Sequence, residues 1–153
     1  MSQSYWLMKS EPDAYCLDDL ARDKKTHWDG VRNYQARNFI RDAMKPGDGV
    51  LFYHSNAEPP GIAGLAEVTS EGYPDPSAFD PRDIHHDPAS KKENPTWYCV
   101  DIRFVKKFPR LLSLESLRKI HGLEGMPLLQ KGQRLSIQPV TRGQWDIIIQ
   151  LPG

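Results

Sequence analysis

The sequence predicts an α+β fold in which helices flank a small, curved and mainly antiparallel β-sheet. Polar and apolar residues alternate from Trp97 to Lys106, as in a half-buried strand. Between Asn33 and Met44 the apolar residues instead recur at three- and four-residue spacing, which predicts an amphipathic helix. The strand segments lack the regular helical crossovers of a parallel α/β sheet, so antiparallel pairing is expected.

Length and composition indicate one soluble domain spanning residues 1–153. A chain of 153 residues and 17.5 kDa buries a real core but is too short for two ordinary domains. No apolar run approaches the roughly 20 residues that span a bilayer, and no secretory signal is visible. Two distant cysteines, Cys16 and Cys99, argue against a disulfide scaffold or a zinc site. We therefore expect a cytoplasmic protein with no membrane partner, cofactor or metal.

The balance of charge restricts how the chain binds nucleic acid. Lys plus Arg and Asp plus Glu both total 20, which gives a formal net charge of zero. A protein that held nucleic acid mainly by releasing counterions would carry excess positive charge. Any such role must therefore depend on a local basic patch and a specific pocket.

The other elements follow from short patterns along the chain. In order, we expect a strand at Tyr5–Lys9, a helix at Leu17–Ala21, paired strands at Gly49–His54 and Gly61–Val68, a surface loop at 69–96, a helix at Leu114–Ile120, a strand at Arg134–Val140 and a terminal helix from Thr141. Five prolines predict that residues 69–96 lack regular structure. Thr141 and Gln144 have capping-box spacing, although Ile147–Ile149 also fit a strand.

None of the common enzyme motifs is present in the sequence. A nucleophile elbow, a phosphate-binding loop, a dinucleotide-binding glycine pattern and an H-E-x-x-H motif are all missing. Adjacent histidines in His85-His86-Asp87 point in different directions, so we interpret this segment as a solvated loop rather than a metal site. Cys99 has no obvious histidine partner and is interpreted as core packing.

The segment Asp29–Asn38 is a strong candidate for ligand binding. It combines a glycine turn with amides, guanidinium groups and a tyrosine at a helix start, where free backbone N–H groups favour anions. Amide side chains read base edges, and arginine binds phosphate in a two-pronged contact. The alternative is that Asn33 only caps the helix and the arginines form a solvated face.

Aromatic residues beside polar ones supply the ring faces that a planar base would need. They are Trp6, Trp28, Tyr53 and Trp97. Core packing is the default interpretation for any single one of them.

Five stretches spread over nearly the whole chain form a recognisable set, namely Tyr5–Pro12, Trp28–Asn38, Gly47–Asp48 with Leu51–Asn56, Gly61–Gly64 and Leu135–Val140. Together they resemble the EVE domain family, and in particular its bacterial members. The resemblance implies a PUA-like pseudo-barrel with a cavity that admits a flipped base. In EVE modules that base is a modified cytosine in DNA, such as 5-methylcytosine, whereas the wider superfamily includes readers of modified RNA. The basic N-terminal extension of nuclear relatives is missing, so we expect a free-standing prokaryotic protein.

The resemblance also implies roles for particular residues. Trp6, Lys9, Ser10 and Glu11 would form the pocket wall, and Trp28 and Tyr53 would offer ring surface. The remaining contacts would come from Val31, Arg32, Asn33, Tyr34, Arg37, Asn38, His54, Ser55 and Asn56.

Three functions are compatible with these patterns. The favoured one is a non-catalytic module that recognises a modified base, in DNA rather than RNA, and it requires an open slot beside Trp28, Asn33 and Tyr53. The second is an enzyme acting on a nucleotide, with Lys9 and Glu11 as an acid/base pair. The third is a small-molecule sensor with no nucleic-acid partner.

Overall fold

Seven strands and four α-helices form the fold in the computed structural model, which describes residues 3–132 and 135–151. The strands β1 to β7 are Tyr5–Ser10, Lys25–Trp28, Gly49–His54, Gly61–Val68, Tyr73–Pro74, Tyr98–Ser113 and Ile137–Val140. The helices α1 to α4 are Leu17–Asp23, Tyr34–Asp42, Leu114–Leu117 and Arg142–Gln150. Short 3₁₀ turns occur at Pro76–Phe79 and Pro127–Leu129.

The strands form one mainly antiparallel sheet, as predicted. Six follow in the order β2-β6-β4-β3-β1-β7, and β5 pairs with β6 beside this path. Among the described strands only β1 and β3 run parallel, with Tyr5 opposite Gly49 and Ser10 opposite His54. Register shifts along β4 and between Phe52 and Tyr53 mark irregularities that increase local twist. The sheet stays open, because β2 and β7 are its two ends.

The structure departs from the predicted elements in several places. Helix α3 ends at Leu117 rather than Ile120, and β7 begins at Ile137, so Leu135 and Ser136 are not part of it. The strand predicted to end at Lys106 continues to Ser113, because its second half pairs with β4. The loop 69–96 contains β5 and a 3₁₀ turn, so the prediction that it lacks regular structure is wrong. Strand β2 is missing from the predicted elements, because its four residues are half exposed and show no apolar pattern. Arg134, the expected start of β7, lies outside the described residues.

Buried side chains pack on both faces of the central strands β1 and β3. Phe52 belongs to a first core group with helices α1 and α2, whereas Tyr53 belongs to a second group that includes Ile148 of α4. Neighbouring side chains of a strand point to opposite faces, which explains this division. The first face carries the cleft described below.

Two helix caps are present in the structure: the Asn33 cap, which the sequence offers as the alternative to a ligand-binding role, and the predicted capping box at Thr141. Asn33 Oδ1 accepts a hydrogen bond from Ala36 N at 3.0 Å at the start of α2, a contact worth about 1 kcal/mol. Thr141 Oγ1 accepts from Gln144 N at 3.1 Å, and Gln144 Oε1 accepts from Thr141 N at 3.0 Å. The last segment is therefore a helix rather than a strand. In residues 3–132 and 135–151, no helix has the length and apolar character needed to cross a membrane.

Candidate functional site

A cleft of about 580 Å³ opens where the ends of β1 and β2 meet the loop that leads into α2. Part of the predicted site set lines it, namely Lys9, Ser10, Glu11, Trp28, Val31 and Arg32. The other lining residues, outside that set, are Ala14, Tyr15, Thr26, His27, Asp29, Gly30, His85 and Ser136. The walls thus come from parts of the chain that are distant in sequence.

Two aromatic residues, Trp28 and Tyr15, border the cleft. Trp28 is partly exposed, and its ring meets Phe52 edge-on with the centroids 5.5 Å apart. The Tyr15 hydroxyl donates to Asp23 Oδ2 at 2.9 Å, and burial together with this carboxylate raises its pKa. Both rings are therefore held by protein contacts before any ligand arrives.

The buried carboxylate of Asp75 fixes one wall of the cleft. It accepts hydrogen bonds from Gly30 N at 2.8 Å and from Arg32 Nη1 at 3.1 Å. It also accepts from the backbone and hydroxyl of Ser77, at 2.8 and 2.6 Å. Burial opposes ionisation of Asp75, but these hydrogen bonds outweigh it and hold its pKa below the usual range. The loop before α2 is thereby attached to the loop 69–96.

Arg32 uses its guanidinium group to hold the same wall. Nε and Nη2 donate to the His85 carbonyl at 3.0 and 2.5 Å, and Nη2 also donates to Ser77 Oγ at 3.2 Å. Nη1 donates to Val31 O at 2.9 Å as well as to Asp75. Since a guanidinium carries five N–H donors, these five contacts engage all of them. Arg32 therefore positions the wall rather than offering a free two-pronged contact for phosphate.

His85 packs against Gly30 at the cleft. Gly30 has φ of +76°, and a Cβ added there would lie 2.7 Å from His85 Cε1. The His85 segment is a partly solvated loop, as predicted, with the His85 side chain 43% exposed, but Arg32 holds its backbone and Gly30 makes room for its ring. Within residues 3–132 and 135–151, no group of three or more His, Cys, Asp or Glu side chains is placed to hold a metal ion.

Two charged residues of the cleft, Asp29 and Lys9, have shifted pKa values. Burial, followed by repulsion from Asp75, raises the pKa of Asp29. Burial lowers the pKa of Lys9, whose Nζ lies 5.8 Å from the centroid of the Tyr53 ring. Lys9 and Tyr53 are partners across β1 and β3, so the Lys9 ammonium faces away from Ser10. Its backbone N donates to Ser136 O at 2.9 Å and joins two walls of the cleft.

Three predicted site residues have structural contacts away from the cleft. Trp6 is buried, and its Nε1 donates to Asp48 Oδ2 at 2.9 Å. Tyr53 is 3% exposed within the second core group, and Asn33 caps α2. The open slot therefore lies beside Trp28 but is not lined by Asn33 or Tyr53.

Residues at the end of β3 and just after it support the neighbouring segments rather than lining the cleft. His54 Nε2 accepts a hydrogen bond from Leu17 N at 3.1 Å at the start of α1. Ser55 N donates to Ser10 O at 3.0 Å, and Asn56 Nδ2 donates to the carboxylate of Glu11. These contacts tie the end of β3 to the turn after β1.

The polar face of α2 contacts Trp97 and the last residue of the loop 69–96, Thr96. Tyr34 stacks on Trp97 with ring centroids 5.0 Å apart, and the Arg37 guanidinium lies 5.1 Å from the Tyr34 centroid. Arg37 also donates to Thr96 O at 2.7 Å and to Asn38 Oδ1 at 2.8 Å. Tyr34, Arg37 and Asn38 form a surface outside the cleft.

Tyr15, Asp29 and His85 are cleft residues that sequence reasoning did not assign. Asp29 is the first residue of the segment Asp29–Asn38, which the sequence predicts to bind a ligand, so its position in the sequence indicates a place at the site. Tyr15 follows the strand-ending Ser10–Pro12 turn, which also brings it near β1. His85 has no local signal, because its place depends on hydrogen bonds from Arg32, 53 residues away.

Comparisons with known proteins agree with this architecture. The model of the EVE domain matches residues 4–151. Human thymocyte nuclear protein 1 is 46% identical over 166 residues, which cover 97% of this chain and 73% of the relative.

Two solved structures extend the similarity to the fold. A Pseudomonas syringae protein is 50% identical with a TM-score of 0.93, covering 97% of this chain and 99% of that one. Human THYN1 protein, solved in complex with 5-methylcytosine containing DNA, is 44% identical with a TM-score of 0.88, and 98% of each chain is covered. The chain therefore belongs to the EVE domain family.

Proposed function

We propose that this chain is a non-catalytic module that recognises a modified cytosine in DNA by taking the extruded base into the cleft. The observation that carries the proposal is the cleft itself, which combines Trp28 with polar groups in about 580 Å³. Ligand pockets of roughly 300–1,000 Å³ are typical. The 5-methylcytosine DNA in the complex of human THYN1 supports the choice of base, since that protein shares 44% of its sequence with this chain.

Stacking on Trp28 supplies the part of the binding free energy that does not depend on which base is bound. The indole is held edge-on by Phe52, so little side-chain freedom is lost when a base stacks on it. Stacking of one base on an aromatic ring contributes about 1 to 3 kcal/mol. This gain offsets the few kcal/mol that are needed to extrude a base from the duplex.

Hydrogen bonds at the cleft distinguish cytosine from other bases in this proposal. Cytosine presents an amino donor, which acidic side chains accept. The Asp29 carboxylate accepts from that amino group, and the Ser136 hydroxyl donates to the base carbonyl. The added methyl group is accommodated by apolar surface of Val31, which is 7% exposed and lines the cleft. Because the donors of Arg32 are engaged within the protein, Arg32 makes no phosphate contact in this proposal.

The contacts of Lys9 and Glu11 argue against the alternative acid/base pair. The Lys9 ammonium lies over the Tyr53 ring, and the Glu11 carboxylate accepts a hydrogen bond from Asn56. A general acid and base must both reach the reacting group. The proposed function therefore involves binding without turnover.

Fluorescence polarisation with labelled duplexes tests the proposal. Three duplexes of one sequence carry cytosine, 5-methylcytosine or 5-hydroxymethylcytosine at a single position, at one stated salt concentration. We expect the parent to prefer a modified duplex, and Trp28→Ala to weaken that binding about 5- to 150-fold. Tyr34→Ala is the matched control, because it removes an exposed ring outside the cleft.

Three outcomes contradict the proposal. Equal affinity of the parent for all three duplexes argues for a small-molecule site without a nucleic-acid partner. Loss of binding in Tyr34→Ala but not in Trp28→Ala places the interface on α2 instead of the cleft. Mass spectrometry of the recovered oligonucleotide tests turnover, and an altered base mass overturns the non-catalytic assignment.

A further inference from the structure

An isoleucine stands exposed beside the cleft. Ile84 is 92% exposed, the highest value among the large apolar side chains of the described residues. Single exposed apolar residues are common on protein surfaces and usually need no explanation. Ile84 differs by its place, because the next residue, His85, lines the cleft and packs against Gly30.

The turn that presents Ile84 is held by hydrogen bonds on both sides. Asp83 N donates to Asp80 O at 3.0 Å, and Asp83 Oδ1 accepts from His85 N at 2.8 Å. The His85 carbonyl is in turn bound by the Arg32 guanidinium. The position of Ile84 is therefore set by the same arginine that fixes the cleft wall.

We propose that Ile84 is a wedge, an apolar side chain that enters the DNA base stack and fills the space vacated by the base in the cleft. The inference rests on the proposed function. It identifies the residue that keeps the extruded base from returning to the duplex. Proteins that unstack DNA insert apolar side chains such as Ile, Leu or Met between base steps. When an isoleucine side chain enters the base stack, its apolar surface is removed from water, and this burial contributes favourable free energy.

Arg82 completes the wedge by contacting the DNA backbone next to it. Its side chain is 93% exposed, and its ion-pair contact with Asp80 is long, at 3.5 Å. Exposed pairs of this kind contribute little, so the guanidinium is free to move to a phosphate. In contrast to Arg32, Arg82 can thus neutralise charge on the strand that flanks the gap.

Binding to duplex and single-stranded DNA separates a wedge from an ordinary contact. In single-stranded DNA the bases are unpaired and only weakly stacked. Extruding one base therefore leaves no gap in a duplex for the Ile84 side chain to fill. The experiment compares 5-methylcytosine in a duplex and in the same sequence as a single strand, each with its unmodified counterpart. The variants are Ile84→Ala, Ile84→Met, which retains apolar bulk, and Ile149→Ala, an isoleucine of α4 that is 37% exposed.

Ile84→Ala is expected to bind the methylated duplex about tenfold more weakly and the methylated single strand within about twofold of the parent. Ile84→Met and Ile149→Ala are expected to match the parent on both. Because Ile84 is exposed, the thermal unfolding midpoint should be unchanged in every Ile84 variant.

Different results overturn different parts of the reasoning. Equal duplex binding by Ile84→Ala and the parent overturns the wedge while leaving the proposed function intact. Equal weakening on duplex and single strand also overturns it, since the side chain is then a general contact. If the parent does not prefer either methylated DNA, the proposed function fails and the wedge fails with it.

Discussion

Removing the Asp75 carboxylate should both destabilise the fold and abolish binding at the cleft. Asp75→Ala deletes an acceptor that serves Gly30, Arg32 and two donors of Ser77. Removing one partner of a buried ion pair lowers the free energy of unfolding by about 3 to 5 kcal/mol. Arg32 retains 22% side-chain exposure, so water compensates in part and the lower value applies. About 3 kcal/mol corresponds to a fall of about 10 °C in the unfolding midpoint of a domain of this size.

Asp48→Ala provides a matched control for that experiment. Asp48 is also buried and accepts from Ser4 N, Trp6 Nε1 and Lys45 N at 2.9 to 3.1 Å, but it does not line the cleft. Calorimetry should show a lower midpoint for both variants. Polarisation measured well below both midpoints should show binding lost only in Asp75→Ala. An unchanged midpoint in Asp75→Ala, or equal loss of binding in Asp48→Ala, refutes the reasoning.

Two further predictions concern the loop before α2. Gly30→Ala should lower the unfolding midpoint by several degrees and weaken DNA binding. The reason is that φ is +76° at this position and the new Cβ would lie 2.7 Å from the His85 ring. A midpoint equal to the parent's would show that the His85 ring moves aside freely. Binding of methylated DNA should fall as the pH drops through the raised pKa of Asp29, since only the ionised carboxylate accepts from the base amino group. Asp29→Asn should bind more weakly at neutral pH and lose this pH dependence, and a parent-like pH profile in that variant would exclude Asp29 as the acceptor.

Local sequence signals predicted the elements whose contacts are local. The Asn33 cap and the capping box at Thr141 depend on residues three positions apart, and both are present. Strand β2 depends instead on pairing with β6, where Trp28 lies opposite Val100. Four half-exposed residues carry no periodic pattern of their own, so no local signal predicts them.

The sequence predicts only part of the site, because only some of its residues are brought together by local contacts. Segments that lead directly from β1 and β2 line the cleft, and their turn residues are visible in the sequence. The polar neighbours of Tyr53 and the family resemblance favour a place for its ring in the pocket. Strand β3 is apolar on both faces, however, so its pattern does not reveal which face a side chain takes. Arg32 was assigned to phosphate because residue type shows what a side chain can bind, whereas its actual acceptors at His85 and Asp75 come from a distant loop.

The distribution of the cleft walls along the chain has a consequence for folding. Residues 9–15, 26–32, 85 and 136 meet only after the first strand, the long loop and the segment before the last strand have all docked. No fragment or partly folded intermediate that lacks one of these regions contains the whole binding surface. Under the proposed function, recognition of DNA therefore requires the complete fold, and a ligand that occupies the cleft stabilises the entire native state rather than one part of it.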